Sequence, residues 1–196
     1  MRPSILAFVL LIITICSGMV AAAAAARSPA EFVRESCMVT QYPALCEQCL
    51  VSYAQAVHRS KHELARAALA VSADRARSAS ALVRRMSAGG GKSHLSREAG
   101  AVRDCIETMQ NSEDRLRRSV REMRWMGRPR SPRFAWHLCN VQTWVSASLT
   151  DVTTCLDGLS QYAGPAVRAA IRKKVLEVSQ VTSNALALVN QLGPRN

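Results

Sequence analysis

The chain has 196 residues, 26 of them Lys or Arg and 14 Asp or Glu, giving a formal net charge of +12. Abundant alanine, 5% aromatics and glycine and proline confined to a few breaks favour helices, and no strand-like alternation competes. No segment beyond the N-terminus has 18 uninterrupted apolar residues, which excludes a membrane span there.

Residues 1–26 read as a signal peptide. Arg2 forms a short basic region, an apolar run extends from Ile5 to Ile15, and alanines 21 to 26 supply the small residues of a cleavage site near Ala26 or Arg27. The run is short for a membrane anchor. The expected mature chain, residues 27–196, is therefore secreted to the extracellular space. Cleavage removes Cys16 and Arg2, so seven cysteines become six and the charge falls by one, from +12 to +11. An even cysteine count in an oxidising compartment points to disulfides. The remaining chain, about 170 residues, fits one domain with a single core.

Next comes ESCMVTQYPALCEQCL, residues 35–50, with Cys37, Cys46 and Cys49 spaced C-x8-C and C-x2-C. A C-x2-C zinc or redox site needs further ligands at metal spacing or a cytosolic setting, and neither is present. The short loop from Cys37 to Cys46 is the natural bridge, clamping a Tyr42-Pro43 turn in a helical hairpin over about 29–58.

Four apolar ladders at helical spacing follow, over 61–86, 95–126, 134–157 and 165–190. AGGGKSH separates the first two, with Ser93 placed to cap the second. GRPRSP separates the next pair, with Ser131 and Pro132 in cap and first-turn positions. Asp157-Gly158 is expected to close the third helix, and Gly164-Pro165 to open the fourth. The fold class is all-α: an antiparallel up-down-up-down four-helix bundle over about 61–192, preceded by the hairpin and stapled by disulfides. Cys105 lies as far before the turn near residue 130 as Cys155 lies after it. Equal offsets bring the two level on antiparallel neighbours, so they form the second bridge. Cys49 and Cys139 either form a third bridge or remain two free thiols.

Other chemistries fail on inspection. The glycines before Lys92-Ser93 lack the spacing and the preceding strand of a phosphate loop. His58 and His62 are four apart, but no third ligand accompanies them, so no metal or cofactor is expected. No nucleophile motif or carboxylate pair marks a catalytic residue.

Three strings carry a resemblance: CMVTQYPALC at 37–46, VRDCIE at 102–107 and NVQTWVSASLTDVTTCLDG at 140–158. In order and spacing they resemble the plant invertase and pectin methylesterase inhibitor family across essentially the whole mature chain. Leu159 stands where the family usually has an aromatic residue. The resemblance implies a four-helix bundle with an N-terminal hairpin and the two disulfides above. It also implies an inhibitor of a wall or vacuolar carbohydrate-active enzyme, not an enzyme.

The string around Trp144 is most similar to the methylesterase side of the family, which implies a pectin methylesterase in the cell wall, or apoplast, as partner. The invertase side carries a Pro-Lys-Phe loop motif, and Pro132-Arg133-Phe134 is its nearest counterpart, with Arg in place of Lys. Family complexes lay bundle helices across the methylesterase cleft. The resemblance carries that role to Glu107, Thr154 and Asp157, and Asp114, two turns beyond Glu107, extends the patch. A third reading is a basic pectin-binding wall protein without an enzyme target. The arginine clusters suit contact with acidic pectin better than nucleic acid, given secretion and the lack of interleaved aromatics.

Overall fold

A computed structural model of the chain describes residues 28–89 and 97–194. The signal-peptide reading of 1–26 and the expected Ser93 cap lie outside the described residues. Every regular element among them is helical: α1 (Pro29–Cys37), α2 (Pro43–Leu50), α3 (Lys61–Gly89), α4 (Arg97–Glu122), α5 (Pro132–Tyr162) and α6 (Pro165–Asn190), with single 3-10 turns at Val51–Tyr53 and Met123–Trp125.

Local sequence explains most boundaries. Proline opens α1, α2, α5 and α6, where its missing N–H costs no hydrogen bond. The Ser28 hydroxyl accepts from the Glu31 amide at 3.1 Å, and Ser131 accepts from the Phe134 amide at 3.1 Å. One boundary departs from expectation. The helix does not close at Asp157-Gly158 but runs to Tyr162. Leu159 and Ala163 continue its buried face past the glycine, and their burial outweighs the roughly 1 kcal/mol helix penalty of Gly158. The stop comes instead at Gly164-Pro165, where the Gly164 N–H donates to the Glu98 carboxylate in the first turn of α4.

Each long helix has two long neighbours: α3 packs on α4 and α6, and α5 packs on α4 and α6. Leu64, Leu69, Met109, Leu116, Val141, Val145 and Ile171 fill the space they enclose. The seam between α4 and α5 is made by small residues at heptad spacing. Cys105 is bonded to Cys155, with Cα atoms 4.3 Å apart. Seven residues on, the buried Ser112 and Ser148 hydroxyls share a 2.7 Å hydrogen bond. Arg115 Nε donates to Asp151 Oδ2 at 2.8 Å, and Glu122 accepts from Asn140 Nδ2 at 2.8 Å and pairs with His137 Nδ1 at 2.8 Å. From Cys105–Cys155 through Ser112–Ser148 to Glu122–Asn140 the number falls on α5 as it rises on α4, so these two helices are antiparallel.

The hairpin is closed by Cys37–Cys46, with Cα atoms 5.6 Å apart. A buried side chain from the far end of the sequence holds it in place. Asn184 of α6 accepts from the Tyr42 N–H at 2.9 Å and donates to the Tyr42 carbonyl at 2.9 Å. Beside it, Ser183 Oγ donates to Gln41 Oε1 at 3.0 Å.

Cys49 and Cys139 are both free, so the third bridge does not form. Cys49 lines a crevice with Ala68, Val71 and Val181, on the α3–α6 side. Cys139 is on the exposed surface of α5, whose long neighbours are α4 and α6.

Two stability predictions follow from these fastenings. Cys155→Ser should cost about 2–4 kcal/mol in urea unfolding, whereas Cys49→Ser should cost under about 1 kcal/mol. Asn184→Ala leaves the Tyr42 N–H unpaired, while the Tyr42 carbonyl keeps the Cys46 amide at 2.9 Å, and should cost about 1–3 kcal/mol. Hydrogen exchange should then accelerate in residues 37–46 ahead of α4 and α5; uniform acceleration would contradict the clamp.

Candidate functional site

The expected partner residues fall on the outer surface of the α4–α5 pair. Glu107 is two residues past Cys105 and Thr154 directly precedes Cys155, so one covalent bridge fixes the level of both. Glu107, Asp114, Thr154 and Asp157 are all exposed. None of the three carboxylates joins an ion pair among the described residues, although the chain is rich in arginine. Arg118, one turn beyond Asp114, instead lies over the Trp144 ring at 5.2 Å. Asp104, one turn before Glu107, is exposed as well and adds a carboxylate that sequence reasoning passed over. Its signal was present, inside the same VRDCIE string.

The α5 half of this surface has an unusual composition. Between Arg133 and Arg168 the chain has no lysine or arginine. Its exposed positions include Thr143, Ser146, Thr150, Thr153, Thr154 and Asp157. The hydroxyls of Thr150, Thr153 and Thr154 donate back into the helix, to carbonyls four residues earlier at 3.4, 3.0 and 2.9 Å. Their protons are spent internally, so outward they offer oxygen acceptors. Carboxylates on α4 and hydroxyl oxygens on α5 together make a face that accepts hydrogen bonds and attracts cations.

The carboxyls with shifted acidity are Glu122 and Asp151 in the α4–α5 seam and Glu63 in the first turn of α3. Burial pushes the Glu122 carboxyl up, but hydrogen bonds from Asn140 and His137 and the charge of His137 outweigh it and hold it below the usual range. Glu63 behaves alike: burial raises it, and hydrogen bonds and charge from Arg66 and His62 lower it further than burial raises it. Asp151 goes the other way, raised by burial that Arg115 does not fully offset.

The other sequence candidates separate. Pro132-Arg133-Phe134 is not a loop: it is the first turn of α5, with Ser131 as cap and Phe134 only 6% exposed. The ring packs in the core because the α5 apolar ladder starts with it, so it has no freedom to enter a partner's active site. His58 and His62 do not share a helical face. His58 has φ 47° ahead of the helix, and the His62 ring nitrogens meet Glu63 Oε1 at 3.1 Å and the Met123 carbonyl at 2.9 Å. Among the described residues no group of three His, Cys, Asp or Glu side chains could hold a metal.

The family profile "Plant invertase/pectin methylesterase inhibitor" matches residues 31–188. Pectinesterase inhibitor 9 of Arabidopsis thaliana is 48% identical over 168 residues, covering 84% of this chain and 82% of that protein. The 21 kDa protein of Daucus carota is 40% identical, covering 91% and 92%. Among solved structures, a mutant form of a pectin methylesterase inhibitor from Arabidopsis superposes with a TM-score of 0.62 at 19% identity, over 82% of this chain and 95% of that one. At that identity the likeness is one of fold.

The depressed carboxyls set an acid limit on stability. A glutamate whose folded pKa lies below its unfolded value contributes stability above about pH 4.3 that is lost as pH falls through the folded value. Asp151 has the opposite sign and blunts the loss. Glu122→Gln should therefore be about 1–3 kcal/mol less stable than wild type at pH 7, with the gap closing below about pH 4. Urea midpoints measured from pH 7 to 2.5 check this; a constant gap would refute it.

Proposed function

The chain belongs to the plant invertase/pectin methylesterase inhibitor family, and on that premise we propose that it inhibits a pectin methylesterase by stoichiometric binding across the enzyme's pectin-binding cleft. The acceptor-rich face of α4 and α5 carries this reading. A cleft that receives an anionic polymer offers cations and hydrogen-bond donors. A surface of unpaired Glu107, Asp114 and Asp157 with outward threonine oxygens presents the complementary charge. The four long helices serve this role as an up-down-up-down bundle with the hairpin fastened to its side, residues 27–196 forming one inhibitor domain. A rigid, disulfide-fixed face binds without the entropic cost of ordering a loop.

The protein performs no turnover of its own in this reading, and it acts outside the cell, in the wall. The leader pattern at residues 1–26 and two disulfides support secretion. No described helix is long and apolar enough to cross a membrane. The invertase reading loses its main support with Phe134 in the core.

Titrating the mature protein into a pectin methylesterase assay should give a stoichiometric end point, with invertase unaffected. Glu107→Ala and Thr154→Ala should each weaken inhibition, and with Asp157→Ala added the loss should reach at least about tenfold, or roughly 1.4 kcal/mol. Circular dichroism should be unchanged. Wild-type inhibition by all the folded variants would move the interface off this face.

A further inference from the structure

At the end of the bundle holding the α4–α5 turn, the charge reverses. Arg59, Lys61, Arg124, Arg128, Arg130 and Arg133 are exposed there, and none joins an ion pair among the described residues. The two carboxylates nearest in sequence are occupied, Glu63 by Arg66 and Glu122 by Asn140 and His137. Three elements converge here: the start of α3 meets the α4–α5 turn where His62 touches the Met123 carbonyl, and one open groove runs between Lys61, Arg124, Phe134 and Leu192.

Two further features distinguish this end from an ordinary solvated surface. The non-glycine residues with positive φ among those described are His58, Arg59 and Arg130, at 47°, 58° and 67°. All three belong to the connections that form this end. Left-handed backbone is unfavourable for such side chains, and its clustering in the cationic connections indicates that their placement matters. Two of the chain's three tryptophans are also here: Trp125 in the 3-10 turn is 60% exposed and Trp136 in the second turn of α5 is 62% exposed. The opposite end, where α5 runs into α6, has Tyr162 exposed and neither exposed tryptophan.

We infer that this end is a docking site for an acidic polysaccharide, a chain of uronate sugars such as de-esterified pectin. Guanidinium forks match carboxylates, and flat tryptophan rings stack on the C–H faces of sugars. The choice of polymer rests on the proposed function, because uronate carboxylates are what a methylesterase produces. Asp114, the residue of the enzyme face nearest in sequence, lies about 12 Å from the end of α4 at Glu122 at 1.5 Å per residue, and Arg124 follows in the 3-10 turn. The enzyme face and the polymer end are therefore separate surfaces, and a polymer held at the second keeps the inhibitor where de-esterified product accumulates.

The test is binding of polygalacturonate across a salt series. Wild type should bind it, bind highly methyl-esterified pectin at least tenfold more weakly, and lose affinity steeply with salt. Arg124→Gln/Arg128→Gln/Arg130→Asn, with Asn chosen for the left-handed position, should bind at least about tenfold more weakly with a shallower salt slope. Trp125→Ala should weaken binding at unchanged slope. Arg84→Gln/Arg172→Gln/Lys173→Gln, which removes equal charge elsewhere, should stay within about twofold. Equal losses in both triple variants, or tighter binding to duplex DNA or anionic vesicles than to polygalacturonate, would overturn the assignment. Methylesterase inhibition measured on the same preparations separates the two readings. Inhibition without polymer binding removes this inference alone; polymer binding without inhibition leaves it standing and removes the inhibitor.

Discussion

The close contact of α4 and α5 is the constraint on which the other features depend. Two helices approach to disulfide distance only if the residues at the contact are small, and Cys105, Ser112, Cys155 and Ser148 supply that at heptad spacing. The choice places two hydroxyls in a dry interior, where each would be costly alone. Together they satisfy one another. Larger apolar side chains such as Met109 and Leu116 then occupy the volume toward α3 and α6. With the seam set, the outward residues flanking the bridge acquire fixed positions at no further cost.

Charge is segregated along this frame. A chain of net charge +12 leaves one whole helix almost free of cations, and the neighbouring stripe of α4 keeps its carboxylates out of ion pairs. The arginines of α4 that do pair turn sideways, Arg115 to Asp151 on α5 and Arg117 to Glu113 beside Asp74 on α3. Exposed ion pairs of this kind contribute little stability. Arg115 is neutralised where it crosses to α5, whereas the arginines at the α4–α5 turn join no ion pair among the described residues.

The hairpin shows a different economy. A short loop closed by a disulfide has too little apolar surface to hold itself against a bundle, and α1 and α2 bury only a few side chains, among them Val33 and Leu50. The buried Asn184 amide replaces the missing area with two hydrogen bonds to the half-buried Tyr42 backbone.

Helix number, the hairpin, the breaks at Ser131-Pro132 and Gly164-Pro165, and the level pairing of Cys105 with Cys155 were all legible in the sequence. They rest on local stereochemistry and on the regular rise of a helix, both of which a linear pattern encodes. Glu107, Thr154 and Asp157 are proposed as partner residues by resemblance alone, and the freedom of Asp114 from an arginine partner was not legible, because i,i+4 spacing allowed Arg118 to pair with it. The tertiary structure sent Arg118 to Trp144 instead. It also carried α5 past Gly158, buried Phe134, separated Cys49 from Cys139 and brought Asn184 to Tyr42 across 142 residues. In each case the outcome depended on what a neighbouring helix offers at the same height. Periodicity along one strand of chain sets which side of a helix is apolar; only packing sets which residue of another helix lies opposite.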